Sequence, residues 1–130
     1  MPSTGAVSTD DQRSARALDD LRAVVHDAGA SELGPRPWQA SGQPPSDADL
    51  VRFAAWEAGR PDADPGVLAA GLGLLASART ELDQIEAALL FAARAAGMTF
   101  QDIGQALGLG SGQAAQQRMH RVLARLDGEG

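Results

Sequence analysis

No cysteine, tyrosine or lysine occurs in the 130 residues, and isoleucine occurs only at Ile85 and Ile103. Without cysteine there is no disulfide, thiolate metal site or thiol nucleophile, and nothing argues for an oxidising compartment. No alternating Val/Ile/Thr/Tyr run exists, so half-buried strands are not expected. Charges interrupt every stretch that approaches the ~20 apolar residues of a membrane span, and Met1 to Asp11 lacks the charged-then-apolar order of a signal peptide. A cytoplasmic protein with no membrane partner is the expectation. Aromatic residues are only 4% of the chain although 44% is apolar, so the apolar mass is Ala, Leu and Val. Such a composition favours helices that approach closely, and the fold class expected is all-α.

Formal net charge is −6, which taken whole opposes a nucleic-acid partner. Its distribution does not. Residues 1–66 carry six Arg against eleven acids, a net of −5, and residues 67–130 carry five Arg against six acids, a net of −1. Between Ser111 and Leu126 there are three Arg and no acid. That every cation is Arg fits GC-rich codon usage and carries little functional weight.

Residues 1–10 read as a disordered tail of small polar residues and Pro. Residues 11–62 form an N-terminal helical segment. Leu18, Leu21, Val24, Val25 and Ala28 repeat at helical spacing, and Gly29 stops the helix. A Pro/Gly-rich loop covers 29–45, with Trp38 expected to tuck onto a neighbouring surface. Ser46 caps a helix whose inner residues are Leu50, Phe53, Ala54 and Trp56.

Residues 63–130 form the C-terminal domain. Asp64-Pro65 is a start signal, with Asp as cap and Pro at the first helical position. Leu68, Gly71, Leu75, Ala78, Leu82, Ile85, Leu89, Ala92 and Ala96 then alternate spacings of three and four. This heptad-like pattern predicts a long central helix, either continuous or broken near Thr80. Leu82, Ile85 and Leu89 are expected in the core, and the same pattern offers a contact for a homodimer. Gly97 ends the helix. Thr99 caps the next, with Asp102 at the capping-box position and Ile103, Ala106 and Leu107 inside. After Gly108, Leu109 and Gly110, Ser111 caps the final helix. Ala115, Met119, Val122 and Leu126 fall within about 60° on a helical wheel and mark its buried stripe.

Two short helices joined by a Gly-containing turn are what places a helix in the major groove. Gln113, Gln117 and His120 lie opposite the buried stripe, where amides can pair with a base edge. Arg118, Arg121 and Arg125 occupy one flank, where guanidinium groups can clamp phosphates, and Ser111 opens a helix N-terminus with donors for a phosphate. Arg118, nearest the core, is equally suited to pair with Asp102 or Glu86. Three Arg imply a shallow salt dependence of binding, with a log–log slope on the order of −2 to −4 per chain.

Residues 92–108, and in particular Ile103-Gly104 and Ala106-Leu107-Gly108, resemble the first part of bacterial helix-turn-helix proteins related to sigma-factor region 4. Ser111 to Arg121, with Gln113-Ala114-Ala115 and Gln117-Arg118, resembles their recognition helix, particularly in small actinobacterial proteins. The likeness covers about 45 residues, from near Glu81 to Leu126. It implies double-stranded DNA as partner and a role in transcriptional regulation. Two departures stand out: a turn one residue longer, through Gly110, and Gly112 where these proteins often carry Arg.

Catalysis finds no support. No Ser sits in a nucleophile-elbow pattern, and the Gly-rich 108–112 stretch follows a helix with no Lys after it, unlike a phosphate loop. His120 has no second ligand at metal spacing, and His26 reads as a helix-surface residue. The chain is expected to be no enzyme and to use no cofactor. The competing expectation is an interaction module that contacts a protein of the transcription machinery through the acidic N-terminal half.

Overall fold

The computed structural model describes residues 2–129, and the side chains of 9–128. Among them every regular element is helical: α1 (Pro2–Asp27), a 3₁₀ turn (Ala30–Glu32), α2 (Asp47–Glu57), α3 (Pro65–Gly73), α4 (Leu75–Ala95), α5 (Phe100–Ala106) and α6 (Gly112–Glu129). Among the described residues no helix is long and apolar enough to cross a membrane. The chain divides into two compact units, one up to Ala78 and one from Arg79.

The expected tail over 1–10 is helical backbone from Pro2 onward, while Met1 lies outside the described residues. Once nucleated, a helix gains a hydrogen bond with each further residue, and Pro is tolerated in the first turn, where its missing N–H costs nothing. In the first unit Val25, Ala30, Leu50, Ala70 and Leu74 form a core, with Leu18, Leu21, Leu33, Val51 and Phe53 packed on it. The helix starts follow local chemistry: the Ser46 hydroxyl accepts from the Asp49 N–H, and the Asp64 carboxylate from the Gly66 N–H. Arg22 of α1 grips the Asp47 carboxylate of α2 through Nε at 2.7 Å and Nη2 at 2.9 Å, and Ser77 donates to the same carboxylate. These bonds hold Asp47 below the usual carboxylate range, the Arg22 bond contributing most.

Three expectations change here. The Leu68–Ala96 repeat is not one helix, and its break lies at Leu74 rather than Thr80. The weak spot is α3 itself, where Gly66, Gly71 and Gly73 lower helix propensity, and Leu74 is completely buried in the first core. The segment over 65–73, grouped by its spacing with the C-terminal part, packs on α1 and α2. Finally, Trp38 is 77% exposed instead of tucked away, and Trp56 is also exposed.

Candidate nucleic-acid interface

The second unit is built on Leu90 of α4, Ile103 of α5 and Ala115 of α6, with Ala93, Met98, Phe100, Leu107, Leu109 and Met119 around them. α4 ends with the Met98 N–H bonded to the Ala93 carbonyl. Arg94 covers the Phe100 ring at 4.3 Å and donates to the Met98 carbonyl, which fixes the entry into α5. A reciprocal capping box between Thr99 and Asp102 starts α5. The bonds from Thr99 hold the Asp102 carboxyl below its ordinary range, the backbone N–H contributing most.

The turn between α5 and α6 is tight for identifiable reasons. Gly108 adopts φ +73°, which favours glycine, and lets the Leu109 N–H reach the Gly104 carbonyl at 2.7 Å. A Cβ on Gly104 would lie 2.6 Å from the Ser111 carbonyl oxygen, and one on Gly112 would lie 2.9 Å from the Gln101 nitrogen. Both glycines therefore sit where the backbones of α5 and the start of α6 nearly touch. Gly112, which departs from the Arg of the proteins it resembles, thus has a packing reason. Ser111 caps α6 by accepting from the Ala114 N–H at 3.1 Å.

On α6, Ala115 and Val122 are buried and Met119 and Leu126 half-buried, as the wheel predicts. Gln113, Gln117, His120 and Arg121 are exposed on the other side. Two glutamines missed in the sequence join them. Gln116 is exposed beside Gln117, and exposed Gln101 has its backbone against the start of α6. The signal for Gln101 was Gly112, a small residue where two helices cross. α6 continues to Glu129, so the acid-free stretch ends at exposed Asp127.

The three arginines separate. Arg118 pairs with Glu86 of α4 through Nε at 2.7 Å, one of the two partners expected, and this carboxylate holds its guanidinium more firmly protonated. Arg125 meets Asp83 of α4 with two bonds of 3.1 Å, a pairing not foreseen, and Arg125 keeps the Asp83 carboxyl below its ordinary range. Two of the three candidate phosphate contacts are thus engaged in strapping α6 to α4. Arg121, exposed, has no ion pair among the described residues.

The expected core placement of Leu82, Ile85 and Leu89 is overturned: they are 58%, 47% and 67% exposed. α4 turns a different face inward, with Ala87 and Leu90 buried and Asp83 and Glu86 meeting α6. Successive residues are ~100° apart on a helix, so two apolar stripes border one another on α4 and the smaller one was chosen. Among the described residues no three His, Asp or Glu side chains gather as metal ligands would. No protein-family model matches the chain, and no match is found among curated proteins or solved structures.

Proposed function

We propose that α4 to α6 form a helix-turn-helix resembling sigma-factor region 4, and that the chain is a double-stranded-DNA-binding regulator of transcription without enzymatic activity. The observation that carries this is the outward face of α6. On a helix fastened by Ala115, Val122 and two ion pairs, Gln113, Gln117, His120 and Arg121 are all exposed and no acid lies among them. Amides supply paired donors and acceptors for a base edge, and Arg121 supplies a phosphate contact. The capped start of α6 adds backbone donors next to Ser111.

With Arg118 and Arg125 engaged by acids, fewer cations remain for phosphates. The salt slope follows at about −1 to −2 per chain, shallower than three Arg would give. Such a unit needs a second copy for useful affinity. The exposed row Leu82, Ile85 and Leu89 is where that copy would pair, and the two-fold arrangement would match a two-fold operator. The same apolar row also favours the second reading, an interaction module for a protein of the transcription machinery.

Fluorescence anisotropy with sheared genomic DNA and with a selected site, each at two salt concentrations, separates these. Arg121→Ala should weaken all sequences alike and reduce the salt slope by about one. Gln117→Ala should cost about 1–3 kcal/mol on the preferred site while sparing nonspecific affinity. If neither substitution changes DNA affinity in a folded protein, α6 is not a recognition helix and the interaction module is the better account.

A further inference from the structure

The acidic N-terminal unit contains a groove with an unexpected lining. Leu33 and Arg36, just after the 3₁₀ turn, form one side. Asp49, Arg52, Phe53 and Trp56 of α2 form the other, and the space between is about 300 Å³. Spacings of three, four and seven bring these α2 residues onto one helical face.

Its apolar floor is backed by backbone. The Phe53 ring lies against Gly29, whose added Cβ would sit 3.1 Å from Cζ. The Trp56 ring centroid is 5.7 Å from that of Phe53 with the planes 51° apart, and Trp56 is 64% exposed. Two of the five aromatic residues in the chain therefore share one groove. The rim is held as well: the Arg36 backbone N–H donates to Gln39 Oε1 at 2.6 Å, and Arg36 Nη1 donates to the Gly34 carbonyl at 2.8 Å. Gln39 in turn donates to the Pro44 carbonyl, so the Pro-rich loop is pinned rather than slack.

Charge decides what such a groove would take. Arg22 and Arg60 in this unit are paired with acids. Arg36 and Arg52 have no ion pair among the described residues, although residues 1–66 carry a net charge of −5. Two guanidinium groups with no ion pair among the described residues thus flank an aromatic floor, with the single Asp49 carboxylate on the same rim. We infer that this groove is a binding site for a small aromatic carboxylate, its ring on Phe53 and Trp56 and its carboxylate held by Arg52 and Arg36. A guanidinium fork matches a carboxylate in two parallel bonds, and the volume lies at the lower end of small-ligand pockets. Asp49 on the same rim repels a second negative charge and selects monoanions.

The site uses no residue of α6, so its fate is independent of the DNA-binding proposal. The test uses the full chain labelled with ¹⁵N, whose two indole N–H signals are assigned with Trp38→Phe. The probe is 2-naphthoate, with uncharged 2-naphthamide as control. The Trp56 signal should shift saturably with naphthoate while the Trp38 signal stays, and naphthamide should bind more weakly. Arg52→Gln should weaken naphthoate about tenfold and leave naphthamide unchanged, which is the loss of one charge-assisted contact; Arg36→Gln should act in the same direction. The amide spectrum shows that each variant is folded. Absence of a saturable Trp56 shift, equal shifts of both indoles, equal affinity for acid and amide, or an Arg52→Gln variant that binds naphthoate as before would each overturn the inference.

Discussion

Leu89 and Leu90 are adjacent, chemically identical, and placed oppositely by the structure. Leu90 is 5% exposed against Ile103 and Ala115, whereas Leu89 is 67% exposed. Truncating a buried Leu to Ala removes its transfer energy and leaves a cavity, a loss of about 2–5 kcal/mol. Fully burying a Leu side chain contributes about 1.5–3 kcal/mol, and Leu89 retains a third of that burial, so Leu89→Ala should cost about 0.5–1 kcal/mol. Urea denaturation followed by helical circular dichroism at low micromolar protein should show the difference, which amounts to at least about fivefold in the folding constant. Equal losses, or a larger loss for Leu89→Ala in dilute protein, would refute the face assigned to α4. Repeating the pair at high protein concentration extends the test. If the Leu82, Ile85 and Leu89 row pairs with a second copy, the Leu89→Ala penalty should grow there, because association adds to the stability of the folded state by mass action.

Gly104→Ala should destabilise by about 1–3 kcal/mol, because the new Cβ meets the Ser111 backbone and no side chain can yield; Gly128→Ala, in open space, should be neutral or slightly stabilising in the same melting assay. Asp47 gives a pH prediction. Its folded pKa lies below an unfolded value of about 3.9, so its contribution is complete above that value and disappears as pH falls through the folded pKa. Asp47→Asn should therefore cost about 1–2 kcal/mol near neutral pH and flatten the acid limb of the stability curve; parallel curves for the two proteins would contradict this.

What was legible in the sequence was local. The all-helical class and the caps Ser46, Asp64, Thr99 and Ser111 depend on a few neighbouring residues, and each cap bond is present. The buried stripe of α6 was also legible, since Leu123 and the small Ala114 and Ala124 form no second stripe to compete with it. α4 differs because it carries two neighbouring apolar stripes, and which one is covered depends on how α5 and α6 approach. Larger side chains at 82, 85 and 89 pointed to the wrong one. The Arg125–Asp83 pair is similarly non-local, joining residues 42 apart. The break at Leu74 was obscured because a three-four spacing continues through it, although the glycines of α3 were the available warning. Trp38 illustrates the limit of hydrophobicity as a guide: a single large ring on a loop pinned by polar side chains can remain in solvent.

The central claim is that the outward face of α6 meets DNA, and backbone-amide mapping tests it most directly. Duplex DNA titrated into ¹⁵N-labelled protein at low salt should shift the amides from Ser111 to Arg121, together with the start of α5 near Gln101. The groove around Trp56 should stay unperturbed at sub-stoichiometric DNA. Shifts centred on the N-terminal unit, or none at any duplex concentration, would contradict it.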